Sequence, residues 1–171
     1  MAKRLVLVRH AKSSWADPDL ADHDRPLKGR GRRAAGVVGR YLRDAALLPD
    51  LVLCSSATRA RETLALLELP AATDVRIEDE LYGATADDLL ARLRTVPPTV
   101  GSVLVIGHNP AVEELMWMLV DRGDRLPDRL PDRFPTAAVA EVRFPAASWQ
   151  ELALHAGRLG SFVSPRDLEA T

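Results

Sequence analysis

Three short apolar runs in this chain are each followed by residues that bind or attack anions. Leu5-Val6-Leu7-Val8 closes on Arg9 and His10, Leu51-Val52-Leu53-Cys54 is followed after a few residues by Arg59, and Val103-Leu104-Val105-Ile106 leads through Gly107 to His108. Arginine presents a planar fork that matches phosphate oxygens bidentately. Histidine, with an unperturbed pKa of about 6.5, can be nucleophile, base or donor near neutrality. Two arginines and two histidines at equivalent strand ends suit a multiply charged anion, and a phosphoryl group is the natural candidate. Metal and nucleotide alternatives lack their motifs. Cys54 is the one cysteine, no closely spaced histidine pair of the zinc-site kind occurs, and neither a GxxxxGK[ST] loop nor a GxGxxG turn is present.

These side chains need a frame that brings strand ends together. The continuous, β-branched character of the three runs predicts strands covered on both faces of a sheet. Between them, Gly29 and Gly31 lead into Ala34, Ala35, Val37, Val38, Tyr41 and Leu42, an apolar set at helical spacing. Ser55, Ser56 and Thr58 are expected to cap a helix through Leu64 and Leu67. Val75 and Ile77 predict a third short strand, and Leu89, Leu90 and Leu93 a further helix ended by Pro97-Pro98. Asn109 as N-cap with Pro110 at the first helical position is expected to start a helix through Val112, Leu115, Met116 and Leu119. Arg125 to Pro135, with prolines at 127, 131 and 135, reads as a loop. Ala137 to Phe144 and Arg158 to Ser164 read as strands, and Pro165 to Thr171 as a frayed tail. Strands alternating with helices imply an α/β layered fold with a mainly parallel sheet.

Composition narrows the partners. The 171 residues carry 24 acidic against 23 basic side chains, a balance unlike the basic excess of a nucleic-acid binder. With no signal-like N-terminus and no apolar run approaching ~18 residues, neither secretion nor membrane spanning is expected. The expectation is one cytoplasmic domain over residues 1–171, long enough to bury a core without a disulfide or structural metal.

Taken in order, Leu7-Val8-Arg9-His10-Ala11, Ser55-Ser56-Ala57-Thr58-Arg59-Ala60-Arg61-Glu62-Thr63 and Gly107-His108-Asn109 resemble the histidine phosphatase superfamily, in its phosphoglycerate mutase-like branch. Arg25-Pro26-Leu27 to Gly31, Leu81-Tyr82-Gly83 and Phe134-Pro135-Thr136 extend the resemblance nearly end to end. The short chain and Lys12-Ser13-Ser14-Trp15 are similar to the small bacterial SixA type, whose type member acts on phosphohistidine in signalling proteins. The resemblance implies a three-layer α/β/α fold, a nucleophilic His10, a cradle of Arg9, Arg59 and His108, and no metal or other cofactor. It implies a general acid just before Leu81-Tyr82-Gly83, where position favours Asp79 and reach favours Glu80. Lys12, Ser13 and Ser14 are candidate phosphate donors. Trp15 either walls the pocket or packs, Arg30, Arg32 and Arg33 read as solvated helix-face charge, and His23 and His155 as surface residues. The expected substrate is phosphohistidine in a signalling protein; a small phosphoester and a non-catalytic phosphate-binding module are the alternatives.

Overall fold

The structure, a computed structural model, describes residues 2–123 and 132–170. Most of the Arg125 to Pro135 loop therefore lies outside the described residues. Strand β1 (Lys3–Arg9) is followed by helix α1 (Gly29–Asp44), β2 (Leu51–Ser55), α2 (Thr58–Leu67), β3 (Asp74–Glu78), α3 (Ala86–Leu93), β4 (Ser102–Gly107) and α4 (Ala111–Leu119). The described chain closes with β5 (Val139–Phe144), β6 (Arg158–Val163) and α5 (Pro165–Glu169). The sheet order is β3-β2-β4-β1-β5-β6. β3, β2, β4 and β1 run parallel, while β5 is added antiparallel to β1 and β6 antiparallel to β5.

Alternation along the strands divides the core in two. Leu5, Leu7, Leu51, Leu53, Val103 and Val105 pack with the apolar stripes of α3 and α4. Val6, Val8, Val52, Cys54, Leu104 and Ile106 pack with Ala35, Val38 and Leu42 of α1 and Ala60 and Leu67 of α2. Helices thus cover both faces of the sheet, giving the expected three-layer α/β/α architecture. The continuous apolar runs have this cause, since neither face of a central parallel strand meets water. Only β3, an edge strand, leaves Val75 and Ile77 exposed.

Register decides where the functional side chains fall. Val8 pairs with Ile106, Arg9 with Gly107, and Cys54 with Ile106. The three strands therefore end in step, and the residue after each emerges at the same edge. Chain order β1, β2, β3, then back to β4 between β2 and β1, makes that edge the topological switch point where α/β sheets bind ligands.

Three local expectations are corrected. The N-cap of α2 is Ala57, which makes no side-chain cap bond, because Ser55 instead accepts the Ala57 amide at 3.2 Å and turns toward the strand ends. Asn109 does not cap α4. That helix begins at Ala111 with Pro110 as N-cap, and the Asn109 amide donates to the Phe134 carbonyl at 3.1 Å. The tail is not frayed, since Ser164 and Asp167 form a reciprocal capping box around Pro165 that starts α5, which packs on α1.

Two glycines of α1 permit close approaches. A Cβ on Gly31 would lie 2.1 Å from the Lys12 carbonyl oxygen, and one on Gly39 would lie 2.4 Å from that of Leu67. Alanine at position 39 gains helix propensity of up to ~1 kcal/mol, but neither backbone can yield without separating α1 from α2. Gly39→Ala is expected to destabilise the fold by about 1–3 kcal/mol net, read as a lower urea midpoint at unchanged m-value.

Candidate active site

Arg9, His10, Arg59 and His108 line one cavity of about 260 Å³ at the carboxyl edge, together with Lys12, Ser13, Trp15, Arg25, Asn109 and Thr136. His10 is only 7% exposed, and its backbone is tied on both sides. Its amide donates to the Gly107 carbonyl at 3.0 Å, and its carbonyl accepts the Ala137 amide at 3.1 Å. In the ring, Nδ1 lies 2.8 Å from the Ala11 carbonyl. A carbonyl can only accept, so Nδ1 carries the hydrogen and Nε2 keeps its lone pair. The Ala11 amide in turn donates to Thr63 Oγ1 at 3.0 Å, and that hydroxyl donates to the Arg59 carbonyl at 2.7 Å. Thr63 thereby couples the strand-one turn to the helix that carries Arg59.

The other imidazole stands beside the first, with ring centroids 5.1 Å apart. His108 Nε2 is 2.7 Å from Ser55 Oγ, whereas its buried Nδ1 has no partner among the described residues. Arg9 donates through Nη1 to the Phe134 carbonyl at 2.9 Å, and its buried Nε is likewise unpartnered. Burial lowers the pKa of Arg9, with Glu113 opposing the shift.

Asp22 supplies the carboxylate of the site. Arg59 donates to its carbonyl oxygen at 2.7 Å and to Oδ2 at 3.0 Å, Arg25 donates to Oδ1 at 2.8 Å, and the Tyr82 hydroxyl donates to Oδ2 at 2.6 Å. The Tyr82 bond, with those from Arg25 and Arg59, holds this carboxyl well below the usual carboxylate range against the opposing effect of burial. Tyr82 also stands edge-on to His108 at 5.6 Å and to His23 at 4.8 Å. His23, expected at the surface, is half-buried at the rim with Nε2 at 2.9 Å from Ser56 Oγ.

Not every anticipated residue gathers here. Lys12 and Ser13 line the cavity, but Ser14 does not; its carbonyl accepts Arg25 Nε at 3.1 Å and its hydroxyl accepts the Ala16 amide at 3.1 Å. Asp79 and Glu80 are exposed, and Glu80 lines a separate surface hollow with Glu78, Asp88 and Arg92. The 3-10 turn Asp79–Leu81 explains this, since it buries Leu81 and delivers Tyr82, not an acid, to the site. Asp22 and the anchoring role of Arg25 went unanticipated. Their signal was the Asp-x-x-Arg spacing, which places the two side chains together across a single turn.

The family model for the histidine phosphatase superfamily (branch 1) matches residues 5–89. An uncharacterised protein of Mycobacterium tuberculosis is 38% identical over 162 residues, spanning 93% of this chain and all of that protein. A SixA structure from Nakamurella multipartitia superposes with TM-score 0.83 at 36% identity, covering 96% of this chain and 97% of that one. The chain belongs to the histidine phosphatase superfamily. It is a phosphatase, and the protein histidine phosphatase SixA solved with tungstate shares its architecture at TM-score 0.77 and 25% identity over 96% of this chain and 99% of that one. Within the superfamily frame, the strand-end cluster is the part that geometry equips for chemistry.

Electrostatics set the protonation of this histidine phosphatase site. Burial first, then the neighbouring His108, Arg59 and Arg9, pushes His10 down to about 3, with the bond to Ala11 opposing. Burial and Arg59 push His108 down to about 4, with Asp22 opposing. Unfolded, both would titrate near 6.5. As pH falls from about 6.5 toward 4, the unfolded chain therefore takes up protons that the folded chain refuses, and stability falls. Urea unfolding at pH 7 and pH 4.5 should show a smaller loss of stability on acidification in His10→Asn than in the wild type; an equal loss would rule His10 out as a source. Asp22→Asn keeps one acceptor, for Arg59 and Tyr82, but sets an amide N–H against the Arg25 guanidinium, so the cations lose part of their alignment. Calorimetric titration with inorganic phosphate should show binding a few-fold weaker in this variant.

Proposed function

We propose that the protein is a phosphatase that acts, through a phosphohistidine enzyme intermediate, on phosphohistidine carried by another protein. His10 Nε2, with its lone pair free and its ring fixed by the Ala11 carbonyl, is the nucleophile. It attacks phosphorus in line; the bond from phosphorus to the substrate nitrogen breaks, and that electron pair leaves with the imidazole. Water then attacks the phosphorus of the intermediate, and the bond to Nε2 breaks to release phosphate. Arg9, Arg59 and His108 surround the cavity in which charge develops on the equatorial oxygens. Arg59 spends one N–H of each terminal nitrogen on Asp22, so its remaining N–H groups serve the phosphate.

The observation that carries the substrate class is the state of the nearest carboxyl. No aspartate or glutamate lines the cavity among the described residues, and Asp22, half-exposed beside Arg25 and Arg59 of its lining, is held ionised by Tyr82 and those two guanidinium groups. An ionised carboxylate has no proton to give to a departing alkoxide. A phosphorylated imidazole protonated on its other ring nitrogen departs as neutral imidazole and needs none. The substrate's scale is supported by a groove of about 700 Å³ that continues past Lys12 and Thr136 along Arg30 and Arg166. The 25%-identical SixA that binds tungstate, a tetrahedral oxyanion, supports the same reading. The reaction as written uses side-chain cations for the charge that a metal would otherwise neutralise, so we further propose that it is metal-independent.

Purified, EDTA-treated protein should hydrolyse a phosphohistidine-bearing protein in preference to p-nitrophenyl phosphate and should trap radiolabelled phosphate as an acid-labile adduct. His10→Ala should abolish both turnover and adduct. Arg59→Ala should lower turnover about 10²–10³-fold, as for loss of one preorganised transition-state donor. Turnover that survives His10→Ala would refute the mechanism; tight phosphate binding with no turnover in the wild type would identify a binding module instead.

A further inference from the structure

Trp15 is the most exposed of the large apolar side chains among the described residues, at 73%, yet it lines the phosphate cavity. Neither loop slack nor core packing accounts for it. The backbone before it is fixed, since Ser13 bridges to Leu27 and the Ser14 amide donates to the Pro26 carbonyl at 2.8 Å. The ring is fixed from beneath, because the Arg25 guanidinium sits 3.2 Å from its centroid. Arg25 is itself buried and anchored by the Ser14 carbonyl, the Ser13 hydroxyl and Asp22. One face of the indole is therefore covered by a rigid cation, while the residue as a whole stays exposed where it lines the cavity. A rigid aromatic face held open in water is a stacking surface awaiting a planar partner.

The direction of the reaction says what that partner is. In-line displacement expels the leaving group opposite to the attacking nitrogen. With His10 buried in the cavity floor and about 260 Å³ above it for the phosphoryl group, the ring attached to phosphorus must lie toward the mouth. We propose that Trp15 is a specificity-determining residue that stacks on the imidazole of the phosphohistidine substrate, on a platform levelled by Arg25. The inference rests on the phosphatase reading above and adds to it a subsite for the leaving ring.

The test compares two small P–N substrates, N-phosphoimidazole, whose leaving group is a ring that can stack, and phosphoramidate, whose leaving group is ammonia and cannot; the change in their ratio on substitution at Trp15 removes their difference in intrinsic lability. The wild type should prefer phosphoimidazole in kcat/KM. Trp15→Ala should reduce that preference about tenfold, mainly through KM, and Trp15→Phe should restore most of it. A structural role exerted through Arg25 would lower both substrates together and leave the ratio unmoved. That outcome overturns the platform, as does a wild type with no preference for the ringed substrate. Failure of the wild type to hydrolyse either compound would overturn the phosphatase reading and the platform together, which separates the two failures.

Discussion

The ion-pair cluster centred on Asp22 is the interaction on which the site depends. Arg9, Arg25 and Arg59 crowd one small volume, and buried guanidinium groups repel one another and are costly to desolvate. Asp22 offsets two of them, from a loop rather than from the sheet, by pairing with Arg25 through one oxygen and with Arg59 through the other and its own carbonyl. Its carboxylate is itself fixed by Tyr82. Arg9 is anchored differently, through Nη1 on the Phe134 carbonyl, and the Phe134 amide donates to Glu113 at 3.1 Å. The cations are thus pointed before any ligand arrives, which is the condition for electrostatic stabilisation without reorganisation.

The same crowding sets the chemistry of the imidazoles. Burial and neighbouring positive charge both disfavour a protonated ring, so the cavity proposed to bind the anion also keeps His10 neutral. A neutral ring with Nδ1 tied to a carbonyl has one defined lone pair, which is what the proposed nucleophile requires. Binding and nucleophilicity therefore have a common physical origin.

How much of this was legible in the sequence depended on how local the determinants were. The central strands could be read from runs such as Val103 to Ile106, because burial on both faces demands unbroken apolar residues. Arg9, His10, Arg59 and His108 could be placed because each follows a strand or opens a helix, and strand ends fall together in a parallel sheet. Asp22 was harder to place: its spacing from Arg25 is a local signal, but its bonds to Arg59 and Tyr82 join segments far apart in sequence. The acidic pair Asp79 and Glu80 misled for the opposite reason, since sequence proximity to Tyr82 says nothing of which side of a 3-10 turn faces the site. Residue type alone predicts Asn109 and Ser55 as helix caps, but their side chains bond elsewhere, Asn109 to the Phe134 carbonyl and Ser55 to His108.

The in-step ending of β1, β2 and β4 has an evolutionary consequence. Because the side chains at these strand ends take their positions from sheet register, the overhanging loop residues that do not join the Asp22 cluster are free to vary without moving them. Substrate choice can then drift in segments such as 16–21, while the proposed displacement at phosphorus is inherited with the β-sheet.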